Sequence, residues 1–466
     1  MDGDATNGWR GGPVQIYLVA FFFSFPIQRA RPFFLVTKNI HLLIAAAVLA
    51  PIAVKLPSVG GKPIHLVPSD FLLVLLPLII ALIGLKRGVR ISARLKSVIA
   101  WTSILVLYAV ALAVLSGMRE GSLVTLFSCF KFIKPFILFV LFLALFSSLR
   151  NLRSMVEIYL FVCVVCIAIL IIGSARTSGF PICRWGGDFL GLEVYGFPNS
   201  SASFMVLQAG LILAGTFFVR SRSLRWLLII SFVLCDGLVI MSMSRASTAS
   251  LLATLGTFFT LLPLFHRMKK TQLILRSLVA LLLMVGLAVF LVDVLKNTGQ
   301  LMDIYEALLR RVEKINQGVD PFAGRSIIWQ DCLNLIADRP VFGYMFESFS
   351  KYGTHDTPHN QYLEIFFKIG IIGFILCVIA FFTVITKVVG GSRLSTSDLG
   401  GRLMQVGFFA GLAGLLLGNI SQPNFSFSLT GNALAFWFAY FLVLNERSRR
   451  QATTIDESRS SPSVRI

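Results

Sequence analysis

The stretch that decides the fold is Leu123–Phe146, with the sequence LVTLFSCFKFIKPFILFVLFLALF. A helix of about 20 apolar residues crosses the roughly 30 Å hydrocarbon core of a bilayer, so these 24 residues predict a transmembrane helix. The whole chain has the same character, since 56% of its 466 residues are hydrophobic and only 14% are charged. Soluble domains are about 25% charged. The composition therefore excludes a soluble multidomain enzyme.

Eleven further apolar runs, bounded by charged or turn residues, bring the expected number of spans to about twelve. They are Phe33–Val54, Ser69–Leu85, Ser97–Leu115, Met155–Gly173, Asn199–Val219, Trp226–Met243, Ser247–Phe265, Leu273–Leu295, Asn360–Ile385, Leu403–Asn419 and Thr430–Leu444. The shorter run Val14–Ile27 is expected to lie at the interface, with a thirteenth full span as the alternative. The predicted fold is an all-α polytopic membrane protein.

The formal net charge is +20, from 42 Lys and Arg against 22 Asp and Glu. The basic residues fall in segments such as Lys86–Lys96, which alternate along the chain with charge-poor loops such as Ser421–Leu429. Cytoplasmic loops of membrane proteins collect Lys and Arg. We therefore attribute most of the charge to topology, with an anionic substrate as a lesser contribution and no nucleic-acid partner. Both termini are expected in the cytoplasm.

Two loops on the opposite, outer side exceed ordinary connections, Ser174–Pro198 and Lys296–Pro358. Loops longer than about 12–15 residues are usually functional or folded. In the second loop, amphipathic spacing predicts helices at Asp303–Lys314 and Ser326–Ala337. One face of the latter helix is expected to carry Ile327, Ile328, Cys332, Leu335 and Ile336.

Five divisions of the chain follow from these features. They are a cytoplasmic or interfacial segment at 1–32, a bundle of about nine spans at 33–295, the large outer loop at 296–358, about three spans at 359–445 and a disordered cytoplasmic tail at 446–466. A disulfide between Cys183 and Cys332, one in each outer loop, is left open.

Charged residues inside predicted spans are functional hypotheses, because burying them unpaired costs several kcal/mol. Lys131 and Lys134 are three residues apart and therefore share a helix face. They form either a phosphate-binding wall or a pair with Asp236. Glu364 and Lys368 have the spacing of an internal ion pair.

Arg245 lies in the tight turn between two spans, on the outer side, where topology does not require a cation. The helix that follows it offers amide donors, so Arg245 and these amides form a candidate anion site. A snorkelling arginine is the alternative.

The end of the large loop, Thr354–Glu364, is the most informative stretch. His359 and Asn360 enter a span directly after Pro358, and an imidazole near a carboxylate can accept a proton from a hydroxyl at neutral pH. The alternatives are a structural histidine at a helix start and a metal site that adds His355 and Asp356. Pro358 and the lack of a third nearby imidazole disfavour the metal site.

These residues resemble the O-antigen ligase and Wzy-type polymerase superfamily of bacterial inner-membrane glycosyltransferases. The matching motifs, in order, are Gly196-Phe197-Pro198-Asn199, Ser244-Arg245, Gly324-Arg325-x3-Trp329, Arg339-Pro340-x2-Gly343, and Pro358-His359-Asn360-Gln361-Tyr362-Leu363-Glu364 followed by Gly370 and Gly373. One departure is Gly343-Tyr344-Met345, where the family often has Gly-x-Gly, which leaves the conformation of this turn open.

The resemblance implies a multi-pass protein of the bacterial inner membrane that takes a glycan from an undecaprenyl-diphosphate-linked donor. It implies inverting transfer to a sugar hydroxyl at the periplasmic face, without a metal, nucleotide or other cofactor. Arg245 and Arg325 would hold the diphosphate. His359 would deprotonate the acceptor, and Asn360 and Glu364 would orient groups nearby. Asn199, Lys131 and Lys134 complete the expected substrate-binding residues.

Three functions remain open at this point. An O-antigen ligase would use lipid A–core as the acceptor, in lipopolysaccharide biosynthesis. A polymerase would use a growing O-antigen or exopolysaccharide chain, which leaves room for a chain-length regulator or export partners. A secondary transporter of an anionic solute would explain Lys131, Lys134 and Asp236 within the bilayer, but it should show inverted repeats and paired broken helices, which the sequence does not show.

Overall fold

The computed structural model describes residues 32–50, 52–59, 62–87, 92–120, 123–149, 151–178, 187–189, 192–194, 198–242, 244–265, 325–353, 355, 357–392, 399–422 and 428–460, with five single positions between 293 and 313. The predicted span Leu273–Leu295, the interfacial run Val14–Ile27 and the predicted helix Asp303–Lys314 fall outside these ranges, apart from those five positions.

Helices dominate the described part of the chain. They are α1 (Pro32–Leu49), α2 (Pro68–Arg87), α3 (Ala93–Glu120), α4 (Leu123–Ser148), α5 (Leu152–Ser178), α6 (Pro198–Phe218), α7 (Arg222–Met241), α8 (Arg245–Phe265), α9 (Arg325–Asp338), α10 (Gln361–Ser392), α11 (Leu399–Gly418) and α12 (Ser428–Ser460). Eleven of the twelve predicted spans each coincide with one of these helices.

Among the described residues, seven helices are long and apolar enough to cross a membrane. The predicted class, a helical polytopic membrane protein, is therefore confirmed. The number of about twelve spans stays a prediction, because apolar stretches such as Ala202–Phe218 are shorter than a full span.

The structure adds a small sheet to the predicted helices. The run Phe33–Val54 does not continue as one helix, because α1 ends at Leu49 and strand β1 follows at Ile52–Val59. Strand β1 pairs with β2 (Lys62–Leu66) and with β4 (Leu192–Val194), which pairs with β3 (Gly187–Phe189), all antiparallel. The sheet therefore joins the chain after α1 to the chain after α5.

Close helix packing brings three helices together. Helix α11 packs against both α6 and α8, and glycines bring the backbones into contact. A Cβ on Gly407 would lie 2.5 Å from the Cβ of Ala214, and one on Gly411 would lie 2.9 Å from the carbonyl oxygen of Leu207. A Cβ on Gly414 would meet the carbonyl oxygen of Ser250.

At the opposite ends, basic side chains cap helices. Arg447 donates to the carbonyl oxygens of Phe146 and Leu149, and Arg449 donates to that of Gly390 at 3.0 Å. Cations at helix C-termini satisfy otherwise unpaired carbonyl groups and interact favourably with the helix dipole. The residues that predict topology therefore also terminate helices.

The segment predicted as a disordered tail from residue 446 instead begins as a continuation of α12, which runs to Ser460. Arg450 and Glu446 form an ion pair at 3.3 Å, with the i,i+4 spacing that stabilises helices. The i,i+4 spacing of the charged residues in this stretch therefore supports a helix.

Helix α10 is broken at Gly370, where φ is +64° and ψ is −170°. Essentially only glycine adopts this backbone conformation. The turn Pro340–Phe346, which follows α9, fills the break. The amide of Tyr344 donates to the carbonyl oxygen of Phe367 at 2.7 Å, and the amide of Ile371 donates to that of Pro340 at 2.8 Å. Backbone groups that the break releases are thereby satisfied.

A second glycine allows this close approach. Gly343 has φ +64°, and a Cβ there would lie 2.5 Å from the carbonyl oxygen of Phe367 and 2.7 Å from the amide nitrogen of Gly370. From the other side, the hydroxyl of Tyr108 in α3 donates to the carbonyl oxygen of Ile369 at 3.1 Å. The Gly370 break is thus fixed by two separate elements.

Candidate functional site

Asn360 starts helix α10. Its side-chain oxygen Oδ1 accepts hydrogen bonds from the amides of Tyr362 at 2.9 Å and Leu363 at 3.1 Å, as an N-cap residue does. The residue is buried. Asn360, expected to bind substrate, therefore first fixes the helix start that follows His359.

His359 has a left-handed backbone with φ +50°. Its Nδ1 lies 3.4 Å from Oγ1 of Thr357, which also accepts from the His359 amide at the same distance. Backbone conformations of this kind cost about 1–3 kcal/mol and cluster at functional sites. The Asn360 cap on one side and Thr357 on the other hold the imidazole in this position.

Two hydrogen bonds fix the start of α10 against the end of α11. The Gln361 amide donates to the carbonyl oxygen of Asn419 at 2.9 Å, and the Tyr362 hydroxyl donates to that of Leu416 at 2.9 Å. Helix α11 packs against α6 and α8, and Gly414 near its C-terminal end contacts Val206 and Ser250 near the N-terminal ends of those helices. The C-terminal end of α11 therefore lies beside the N-terminal ends of α6 and α8. Arg245 is the first residue of α8 and Asn199 lies in the first turn of α6. The structure therefore brings these two positions to the end of the bundle that holds His359.

Helix α9 runs beside the first segment of α10, residues 361–369, in the same direction. The charge of Glu364 acts on the thiol of Cys332. The amide of Ile371 donates a hydrogen bond to the carbonyl oxygen of Pro340. Between these two contacts, the segment that begins in α9 advances by eight residues and α10 advances by seven. We infer that Arg325, seven residues before Cys332, lies at the His359 end.

The predicted helix Ser326–Ala337 is confirmed, but one residue of its predicted buried face is wrong. Ile328, Cys332 and Ile336 are buried, whereas Ile327 is 67% exposed. Adjacent helical residues point about 100° apart, so Ile327 and Ile328 cannot face the same neighbour.

Cys332 is a free thiol in this buried cluster. Burial, and secondarily the charge of Glu364, raises the pKa of Cys332 to about 12. Cys183, the other half of the disulfide left open by the sequence, lies outside the described residues.

The predicted Glu364–Lys368 ion pair is confirmed, with Nζ and Oε1 2.5 Å apart. Glu364 is 4% exposed, and its second oxygen Oε2 accepts no hydrogen bond from the described residues. Glu364 thus provides a buried carboxylate one turn after the Asn360 cap, and its predicted role in orienting groups near His359 stays a prediction.

Lys134 pairs with a different carboxylate from the one suggested. Its ammonium lies 2.7 Å from Oδ1 of Asp70 and 3.2 Å from Oγ of Ser69, both at the start of α2. The Asp236 alternative is therefore wrong for Lys134, and both carboxyl oxygens of Asp236 are buried without a hydrogen bond among the described residues. Sequence spacing could not identify Asp70, because α2 and α4 are far apart in sequence. Lys131 is exposed, and the phosphate-wall role of the two lysines stays a prediction.

Lys134→Ala should lower the free energy of unfolding by about 3 kcal/mol, at the lower end of the range for broken buried pairs, because Asp70 keeps 16% exposure. Thermal unfolding in detergent measures this loss. The double variant Lys134→Met with Asp70→Asn removes both charges and should recover most of the stability. A stable double variant that still lacks activity would instead give Lys134 a direct role on substrate.

An apolar cavity of about 390 Å³ begins at Gln361 and Tyr362 and follows α10 between α4 and α12. Its walls are rich in phenylalanine, with Phe132, Phe136, Phe139, Phe374, Phe381, Phe382 and Phe438. Such an aromatic wall suits an extended apolar chain, and its lining residue Gln361 follows His359 by two positions in the sequence.

Sequence reasoning missed Glu347. This buried carboxylate lies 3.2 Å from Nζ of Lys351 and 3.8 Å from Nη1 of Arg339, and it accepts from the Tyr352 hydroxyl. Arg339 also lies 4.6 Å above the ring centre of Tyr344. These contacts hold the turn Pro340–Phe346 against α10. The i,i+4 spacing of Glu347 and Lys351 was the available signal.

In the described part of the chain, no three His, Cys, Asp or Glu side chains are grouped as a metal site needs. The rings of His355 and His359 are 6.4 Å apart, and Asp356 lies outside the described residues.

Comparison with known proteins concerns the second half of the chain. Residues 230–378 match the family model described as O-Antigen ligase. This region includes Arg245, Arg325, His359 and the Gly370 break, whereas Lys131, Lys134 and Asn199 precede it. A search of curated proteins finds no significant match.

Proposed function

We propose that the protein transfers glycan from an undecaprenyl-diphosphate-linked donor to a sugar hydroxyl, because its residues 230–378 match the family model described as O-Antigen ligase. The observation that carries this proposal is the strained His359, which lies two positions before Gln361, a lining residue of the phenylalanine-rich cavity. The cavity would hold the polyprenyl chain, and the imidazole would meet the acceptor where the chain ends. If the protein is a ligase, the acceptor is lipid A–core.

In the proposed reaction, the acceptor hydroxyl attacks the anomeric carbon of the donor glycan. A new carbon–oxygen bond forms while the bond from that carbon to the diphosphate oxygen breaks, and the configuration inverts. His359 takes the hydroxyl proton, and undecaprenyl diphosphate leaves with the electron pair. Glu364, one turn along α10, favours the imidazolium that results.

Arg325 and Arg245 would stabilise the diphosphate as it leaves. Arginine donates charge-assisted, bidentate hydrogen bonds to phosphate oxygens. Each begins a helix, α9 and α8, and helix N-termini add amide donors and a favourable dipole for an anion. The stabilisation needs no metal ion in this scheme.

The remaining parts of the proposal concern location and acceptor. We place the protein in the bacterial inner membrane with both termini in the cytoplasm, since the basic residues Arg447 and Arg449 of α12 lie at the C-terminal ends of α4 and α10. The site then faces the periplasm. A polymerase acting on O-antigen or exopolysaccharide repeat units uses the same chemistry and is the second candidate.

Surface glycan in a deletion strain tests the proposal and separates the two acceptors. A ligase predicts unmodified lipid A–core together with accumulated lipid-linked polymer, and restoration by the complete chain. A polymerase predicts products that carry a single repeat unit. Unchanged surface glycan would contradict both.

The transporter alternative loses one of its supports, because Lys134 is paired with Asp70. It still makes a distinct prediction, proton- or sodium-coupled uptake of an anion into vesicles that contain the protein. Such uptake without any glycan phenotype would replace the transferase proposal.

A further inference from the structure

An exposed apolar patch lies in the turn Pro340–Phe346, directly after α9. Val341 and Phe342, in the turn Pro340–Phe346, are 45% and 47% exposed. They are continuous with exposed isoleucines of α10, because the amide of Ile372 donates to the carbonyl oxygen of Val341 at 3.5 Å. The neighbouring α10 side chains Ile371 and Ile375 are 36% and 48% exposed.

The α10 part of this patch belongs to a membrane-facing surface. From Ile371 to Gly390 the helix has 20 residues, which rise about 30 Å, the thickness of the hydrocarbon core. The end at Gly390 is fixed by Arg449, whose charge marks the polar boundary. Ile371 therefore lies about one hydrocarbon thickness along α10 from Gly390, and Val341 lies beside it.

We propose that the turn Pro340–Phe346 is inserted into the outer interface of the bilayer, with Val341 and Phe342 against lipid acyl chains. A patch of this kind on a water-exposed loop would be unfavourable, whereas its continuity with the lipid-facing side of α10 offers lipid as the occupant. The large loop is then not a free-standing periplasmic unit. Its α9 helix, which starts at Arg325, is held at the membrane surface.

Phe342→Cys labelled with an environment-sensitive fluorophore tests lipid contact directly. The complete chain is reconstituted into phosphatidylcholine–phosphatidylglycerol vesicles with or without spin-labelled lipid. We expect a blue shift of the emission and a loss of fluorescence when spin-labelled lipid is present, as for Leu107→Cys, a 68% exposed position of α3 that does not line the cavity. Gln330→Cys, on the exposed polar face of α9 beside Asn334, should show neither effect.

The parent chain, whose six described cysteines are buried or half-buried, is labelled in parallel to measure the background. Val341→Cys is the second variant, for use if labelling at Phe342 disturbs folding. Emission and quenching at both positions equal to those at Gln330 would overturn the proposal. Because this test measures lipid contact and not transfer, it succeeds or fails independently of the proposed function.

Discussion

Replacement of His359 by Asn should lower glycan transfer by about 10²–10⁴-fold, the usual contribution of a general base. Asparagine is chosen because it tolerates the left-handed backbone of this position, φ +50°, better than alanine does. The amount of folded protein in the membrane should therefore stay unchanged. Transfer is measured with lipid-linked donor in vesicles, beside size-exclusion profiles of the purified variant.

His355→Asn is the matched control, since His355 is exposed and lies four residues before His359 in the same loop. This variant should keep parental activity. Parental activity in His359→Asn as well would reduce the imidazole to a helix-start residue, and the proposed base would have to be abandoned.

Gly370→Ala should lower the free energy of unfolding by about 3 kcal/mol or more, because its backbone conformation is nearly exclusive to glycine. A Cβ there would also lie 2.6 Å from the amide nitrogen of Gly343 and would push the turn Pro340–Phe346 out of the break. Thermal unfolding in detergent and the yield of monodisperse protein measure the effect.

Gly390→Ala controls for glycine loss in the same helix, since a Cβ there would lie no closer than 3.9 Å to its neighbour, Nη2 of Arg449. That variant should match or slightly exceed the parent in stability, because alanine is the better helix former. Equal stability of Gly370→Ala and Gly390→Ala would show that the turn does not depend on the break.

The helical spans were predictable because hydropathy needs no knowledge of partners. A run such as Leu123–Phe146 is apolar enough to define its own environment, and α4 matches it within two residues. The start of α10 was equally predictable, because proline and asparagine are residue types that favour the first positions of a helix, as Pro358 and Asn360 do here. Both inferences depend only on neighbours in sequence.

What could not be predicted depends on contacts between distant segments. The Lys134–Asp70 pair requires the relative depth of two helices. The Gly370 break requires a turn that arrives from α9 to satisfy it. The backbone of Met345 is a third feature that the sequence could not predict. Met345 has φ +49° at the position where the family it resembles often has glycine. The surrounding contacts therefore impose a conformation that methionine disfavours.

The glycine contacts of α11 with α6 and α8 also impose an order on biosynthesis. Gly407 is made about 200 residues after Gly210, which at about 5–20 residues per second is a delay of roughly 10–40 seconds. In the later part of that interval, once Phe265 has been added, α6 and α8 are both synthesised while the helix that packs against them is still absent. A nascent chain interrupted before α11 would keep this groove open to lipid and to membrane proteases. Quality control could therefore recognise an incomplete copy by a surface that the finished protein hides.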